Sequence, residues 1–278
     1  MRIFCLLLIL TGHINAFCQK GTLPELPFSP RSEGAVEQIK NGATANHDTV
    51  AMGRVIYEQQ VQLAEEIPKN GTSALLFNAT CSVYITLDAP LESKSVLDDN
   101  LVPRVIAGDK YGFPYYKLHQ ERKIIFRDKC IGEKGKCLVE DTLGGIAWSL
   151  QPEHKRFGKY DGRRATGFFR GREYEVWYTL DIPIPSGPFK LGGLPGLILE
   201  AQTTDGAVKF LFSRLEIGAG IPNPIKPPPG KPSGMNYETY MDAKWEMVSN
   251  LIKSHRAAGN EITISPSLEV IELWEPRK

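Results

Sequence analysis

From Gly53 onward, side chains change character at a period of two. Val55, Tyr57, Gln59 and Val61 interleave with Ile56, Glu58, Gln60 and Gln62, the spacing of a strand with distinct faces. Ala74 to Leu87, carrying Leu75, Phe77, Val83, Tyr84 and Ile85, predicts a second strand region; Tyr115-Tyr116 and Lys123-Ile124-Ile125-Phe126 predict two more. Pro90 to Lys110 reads as a charged connection between them. In the middle, Ile146 to Leu150 predicts a short strand. Arg164 to Arg170 and Glu173 to Leu180 predict a hairpin about Gly171-Arg172, a Gly-first pair suited to a II′ turn. In its second strand Tyr174, Val176 and Tyr178 share one face, and Glu173, Glu175, Trp177 and Thr179 the other. Pro183, Pro185 and Pro188 exclude a central strand between Asp181 and Lys190. Val208, Phe210 and Phe212 mark a further strand, and Glu261 to Ile264 and Val270 to Trp274 supply strand material at the end.

One segment breaks to helical spacing. Met241, Trp245, Val248, Ile252 and His255 recur at steps of four and three, Asn236 is placed to cap the start, and Gly259 stops the end. The apolar stripe predicts that Trp245 packs against the sheet, with Trp148 and Trp177 beneath it. Before the helix, Ile221 to Gly234 holds six prolines and reads as a semi-rigid polyproline crossing. The expected fold class is mainly β (α+β): a twisted antiparallel sheet, shaped as a half-barrel, packed on one main C-terminal helix. Residues 51–278 form a single domain, preceded by a flexible segment 19–50.

Residues 1–18 change the picture of where the chain works. Arg2, the apolar run Ile3 to Leu10 and the small residues near Ala16 describe a secretory signal peptide. The run is shorter than the roughly 20 apolar residues a membrane span needs, and no later segment is apolar enough to cross. Cleavage after Cys18 leaves Gln19 first; the alternative makes Cys18 a lipid-anchored N-terminus. Of 33 Lys and Arg residues only Arg2 leaves with the leader, so 32 cations face 32 Asp and Glu. A formally neutral chain argues against nucleic acid as a partner. Beyond the leader, Cys130 and Cys137 flank a polar loop with two glycines and read as a disulfide in an oxidising compartment. A zinc site is the alternative, but no His follows at finger spacing. Cys81 reads as a buried thiol.

Leu191 to Glu200 reads LGGLPGLILE. Pro195 presets φ for the second position of a turn and Gly196 suits the positive φ of a type II third position; the apolar run from Leu197 to Leu199 then starts a buried strand closing on Glu200. Upstream stand Phe169-Arg170-Gly171-Arg172-Glu173-Tyr174, Val176-Trp177-Tyr178-Thr179, Asp181-Ile182-Pro183-Ile184-Pro185 and Gly187-Pro188. In that order, and with Ile146-Ala147-Trp148 and Arg164-Ala165-Thr166, these segments resemble the GLPGLI family, secreted proteins of Bacteroidota without an established biochemical function. The resemblance implies that Gly193, Leu194, Pro195, Gly196, Leu197 and Ile198 are the family motif, here a structural turn, and that the protein works in the periplasm or at the outer membrane. Relatives often carry a cysteine before the Ala-Thr pair, where this chain has Gly162-Arg163.

The motif holds no nucleophile, base or metal ligand. The chain also lacks a Gly-x-Ser-x-Gly elbow, a His-Glu-x-x-His pair and a phosphate-cradling loop. No catalytic set, metal or cofactor is expected. His119 with Glu121 and His154 beside Glu153 are the His–carboxylate pairs on which an enzyme of unrecognised type would rest. Trp148, Arg172, Trp177 and Glu200 are the ligand-binding candidates: Trp177 shares a face with two glutamates, Arg172 reads as a turn tip, and Glu200 ends an apolar strand. The leading expectation is a secreted binding or carrier protein for a peptide, lipid or transported solute. An interaction module accessory to outer-membrane transport components is the main alternative. A large apolar cavity would favour the carrier; a flat surface with an exposed sheet edge would favour the module.

Overall fold

The computed structural model of the chain describes residues 51–62, 69–88, 94–97, 103–106, 111–218, 225–257 and 272. The leader, its cleavage point, the 19–50 segment and the expected strands at Glu261 to Ile264 and Val270 to Trp274 lie outside the described residues, Glu272 excepted. Fourteen strands occur among the described residues: β1 Gly53–Val61, β2 Lys69–Phe77, β3 Cys81–Thr86, β4 Lys94–Leu97, β5 Pro103–Ile106, β6 Tyr115–Leu118, β7 Lys123–Lys129, β8 Lys136–Thr142, β9 Ser149–Phe157, β10 Tyr160–Phe169, β11 Arg172–Thr179, β12 Leu197–Thr203, β13 Val208–Ile217 and β14 Lys231–Asn236. The helix α1 follows at Tyr237–Ala257.

Twelve strands make one open sheet in the order β14, β8, β7, β6, β3, β2, β1, β13, β12, β11, β10, β9; β4 and β5 pair separately. All its neighbours run antiparallel except β14 beside β8. The sheet is not closed into a barrel. Over β1, β2, β3, β6 and β7 both faces are buried. Val55, Tyr57, Leu75, Phe77, Tyr84, Tyr115, Ile124 and Phe126 pack on one side, in the larger core. Ile56, Ala74, Leu76, Val83, Ile85, Tyr116 and Leu118 pack on the other, with Ile225. Beyond β13 the alternation is cleaner: in β11 Tyr174, Val176 and Tyr178 are buried while Glu173, Glu175 and Trp177 are less so.

Several expected elements take a different form. Ala74 to Leu87 is two strands, because the Asn78 carboxamide accepts the Thr80 and Cys81 backbone N–H groups at 2.9 and 2.8 Å and turns the chain. The charged connection contains the β4–β5 hairpin. No strand occupies Ile146 to Trp148; β9 starts at Ser149 and continues through Glu153-His154-Lys155-Arg156, charged because it is the sheet's outermost strand. The β10–β11 turn is Arg170-Gly171, one residue earlier than expected, with φ of 46° and 80°. Positive φ at both positions is the I′ pattern rather than II′. β12 runs past Glu200 to Thr203, and the last residues of the proline crossing form β14 beside β8.

Helix α1 begins as expected: the Asn236 side chain accepts the Thr239 N–H at 2.8 Å, an N-cap. Its packing differs. Tyr237, Tyr240 and Met241 of the first turn are buried, but Trp245 is 42% exposed and Val248 and Ile252 are only half-buried. The helix sits over β14 and β8, pinned by Tyr240 Oη to the Lys129 carbonyl (2.6 Å) and Lys244 Nζ to Asp128 (2.9 Å). Trp148 and Trp177 therefore do not stack beneath Trp245, because the helix lies over β14 and β8, at the other end of the sheet from β9 to β11.

Candidate functional site

Between β11 and β12 the chain leaves the sheet edge-on and folds over its larger core. The prolines prevent pairing with neighbours, and the loop bonds to itself instead. Gly193 N–H donates to the Pro185 carbonyl (3.1 Å), Leu197 N–H to Ile182 (3.0 Å) and Ile198 N–H to Ser186 (2.9 Å). Ile182, Ile184, Phe189, Leu191 and Leu194 point into the core, while Gly193 and Pro195 face outward. Tyr57, from the centre of the sheet, donates its hydroxyl to the Ile198 carbonyl at 2.8 Å. Gly196 does not have the positive φ expected of it; Gly193 does, at 88°. What makes glycine necessary at 196 is proximity: a Cβ there would lie 2.0 Å from the Thr179 carbonyl oxygen. Glycine at 196 is thus required by close backbone contact rather than by turn conformation.

Beneath this loop lies a polar cluster that sequence reading missed. Lys117, wholly buried in β6, donates its ammonium to the Gly187 carbonyl (2.6 Å), the Leu191 carbonyl (3.1 Å) and the Ser186 hydroxyl (3.5 Å). Ser186 Oγ lies 2.8 Å from Ser82 Oγ, and Ser82 Oγ lies 3.0 Å from His119 Nε2. His119 Nδ1 approaches the Ala79 carbonyl at 3.4 Å. A hydroxyl on an imidazole held at its other nitrogen is the geometry of an activated nucleophile. Here, however, Ser82 and Ser186 are wholly buried and the loop is bonded across them, so no substrate carbonyl reaches either oxygen. The cluster ties the motif loop to β3 and β6. Burial lowers the Lys117 pKa well below its ordinary value. The signal missed in Tyr115-Tyr116-Lys117-Leu118 was a lysine alternating inward with Tyr115.

His119 carries a pH signature. Burial, reinforced by the Lys117 charge and opposed by the Ala79 carbonyl, pushes its pKa down to about 4 from 6.5. The unfolded chain then binds a proton the native state refuses, so stability falls as pH drops from 6.5 towards 4 and levels below that. The full shift corresponds to about 3 kcal/mol at most. Urea unfolding at pH 7.0, 5.5 and 4.0 is expected to show this decline, and His119→Gln to flatten it. An unchanged slope in the variant would assign the loss to other groups.

The structure brings Trp177 and Glu200 together and leaves Trp148 and Arg172 elsewhere. Trp177 in β11 stands directly opposite Glu200 in β12. Lys155 of β9 donates to Glu200 at 2.6 Å and lies 5.7 Å from the Trp177 ring centre, while Phe157 meets Trp177 at 6.4 Å. Arg164 opposes Trp177 from β10 and bonds Glu175 and Glu153 at 2.7 Å each. Trp148 serves the motif loop: its indole N–H donates to the Gly192 carbonyl at 3.0 Å, and its ring lies against Gly167. Arg172 is the first residue of β11 rather than a turn tip; it is buried and paired with Asp205. His154 is exposed and bonded to Asp161 at 2.9 Å, not to Glu153, which Arg164 holds.

Cys130 and Cys137 form the expected disulfide, with Cα atoms 5.0 Å apart, and Cys81 is buried outside it. A cleft of about 80 Å³ lies beside the bridge, lined by Ile131, Glu133, Lys231, Ser233 and Tyr240. That is room for water, far below the few hundred Å³ of a ligand site. Among the described residues no three His, Cys, Asp or Glu side chains are placed to share a metal ion, and no helix is long and apolar enough to cross a membrane.

Two solved structures of PNGF-II, in the C2 and P21 space groups, are similar at 14% and 13% identity, with TM-scores of 0.48 and 0.49. The similarity covers 71% of this chain and about a third of each of those chains (33% and 34%). No curated protein matches the sequence. Residues 169–200, from the β10–β11 turn to Glu200, match the model of a family described as "Protein of unknown function (Porph_ging)", consistent with a GLPGLI-type family.

Proposed function

We propose that this chain is an extracytoplasmic binding protein that holds an extended polar ligand, such as a peptide segment, across the outer face of β9 to β12. One observation carries the proposal. On that face a partly buried tryptophan, Trp177, packed at its base against the core, stands among paired charged groups: Glu200 with Lys155, and Arg164 with Glu175. An aromatic platform flanked by planar hydrogen-bonding groups suits a polar chain with an apolar side. A lipid fits less well, because the other face, where a half-barrel would keep a cavity, is filled by Tyr57, Phe189, Leu191, Leu194 and Tyr237. The outer side of β9, unpaired among the described residues, adds main-chain donors and acceptors at the rim of the same face. Secretion through a cleaved leader belongs to this reading, and the disulfide accords with an oxidising compartment.

The test is native mass spectrometry of the protein isolated from its own envelope fraction, alongside Trp177→Ala. The wild type is expected to begin at Gln19 and to carry a peptide-sized adduct that the variant loses while its melting temperature holds. Equal adducts in both proteins, or none in either, would remove Trp177 as the platform. An adduct of lipid mass would restore the carrier.

A further inference from the structure

At the opposite end of the motif segment a second cluster holds four charges and a phenol out of water. Arg170, from the β10–β11 turn, and Lys190, from the motif loop, supply two cations; Asp141, near the end of β8, supplies one carboxylate. The second carboxylate, Glu272, comes from the C-terminal segment, 102 residues beyond Arg170. Lys190 and Asp141 are almost wholly buried, and Glu272 nearly so.

Three donors converge on Glu272. Arg170 Nη1 reaches Oε1 at 2.8 Å, and Lys190 Nζ and the Tyr237 hydroxyl reach Oε2 at 2.9 and 2.6 Å. Burial first, then the Glu272 charge, raises the Tyr237 pKa, so the phenol keeps its proton and remains a donor. The ring of Tyr237 also backs both cations, 3.7 Å from Arg170 and 3.9 Å from Lys190. Asp141 is served less well. Arg170 Nη2 bonds Oδ1 at 2.6 Å, but Oδ2 has only the Lys190 charge at 3.1 Å, without an aligned hydrogen bond.

Two further facts separate the donors from an ordinary ion pair. Arg170 and Phe189, the residue before Lys190, both sit at left-handed φ, 46° and 50°, a conformation that costs a non-glycine side chain and persists where the surroundings impose it. Both cations are thus delivered from strained turns, by the segment that carries the family match. Charge accounting points the same way. Arg170, Lys190 and Asp141 alone leave one uncompensated positive charge in a buried, aromatic-lined space, which demands one anion.

We propose that Arg170, Lys190 and Tyr237 form a carboxylate-binding site, and that Glu272 is its resident ligand, supplied by the chain's own C-terminal segment. The site is distinct from the Trp177 face and does not depend on it. Its ligand class is a single carboxylate on a short stem. The donors are preorganised and the occupant arrives from a segment remote in sequence, so a free carboxylate takes the place of Glu272 once that side chain is removed.

The experiment uses the full chain. Glu272→Ala is expected to lower the melting temperature by about 5–10 °C. Sodium acetate should restore most of that loss in a saturable manner, while acetamide and sodium chloride at equal concentration do not, and the wild type should respond to none of them. Glu272→Ala combined with Arg170→Gln should lose the acetate response. Equal effects of acetate and acetamide would overturn the proposal, as would a Glu272→Ala chain that stays unfolded in acetate. So would Glu272→Gln with wild-type stability, since the site would then need filling rather than charge.

Discussion

Gly196→Ala is expected to cost about 3 kcal/mol or more, the upper range of overpacking substitutions. The added Cβ would lie 2.0 Å from the Thr179 oxygen and 2.7 Å from its carbonyl carbon. Both are backbone atoms in a strand paired on each side, so they cannot rotate away as a side chain would. Relief requires the start of β12 to move off β11, which breaks the Thr179–Leu197 pairing and shifts Leu197 and Ile198 out of the core. Chemical denaturation of the variant beside Pro195→Ala checks the account: Pro195 faces outward, so its replacement should cost less than 1 kcal/mol. If Gly196→Ala kept full stability but lost its cellular role, the motif would be a contact surface and the packing account would fail.

Lys117→Met is expected to cost about 2–4 kcal/mol. Methionine fills the same volume and removes a buried charge, which favours the variant. It also strips the Gly187 and Leu191 carbonyls of their donor inside the protein, at roughly 1–3 kcal/mol for each orphaned acceptor. The second effect wins because two carbonyls lose the buried donor that serves them both. A pH signature separates this from generic loss of packing. With its native pKa depressed, Lys117 binds a proton in the unfolded chain that the folded chain gives up. Wild-type stability therefore rises with pH between the native pKa and the ordinary value near 10.5. Lys117→Met should lack that rise, so the gap between the two proteins widens at high pH. A gap independent of pH would mean that burial does not depress the Lys117 pKa in the folded chain.

The period-two pattern made the central strands legible, since β1, β11 and β13 each bury alternate residues against one large core. The disulfide was legible from loop length and glycine content. β9 was not, because a strand at the rim of a sheet has little to bury and its Glu-His-Lys-Arg run is indistinguishable from a solvated loop. The same limit applies to β14, whose prolines are tolerated because among the described residues it pairs only with β8. Trp245 misled in the other direction: its spacing fits a buried stripe, yet among the described residues burial in α1 stops at Met241 and Trp245 is 42% exposed. The polar cluster was hidden for a different reason. Lys117, Ser82 and Ser186 have meaning only when strands and a loop up to about 100 residues apart meet, and a lysine in a strand reads as surface until its partners are known. Of the ligand-binding candidates, Trp177 and Glu200 were separable from Trp148 and Arg172 only by the register of β11 on β12.

The position of β1 between β2 and β13 has a consequence for how the chain acquires its shape. Most neighbouring strands in the sheet are also close in sequence, so two arrays, β1-β2-β3-β6-β7-β8 and β9 to β13, are each built from local pairings. The β1–β13 seam is not: Arg54 and Glu216, which bond across it, are 162 residues apart. Closing a loop of that length is expected to slow folding. Until β13 has been synthesised, β1 presents an unpaired edge carrying Val55, Ile56 and Tyr57, side chains that end up almost fully buried. Such an edge recruits other chains. A protein built this way depends on whatever shields that edge in the interval before its last strands arrive.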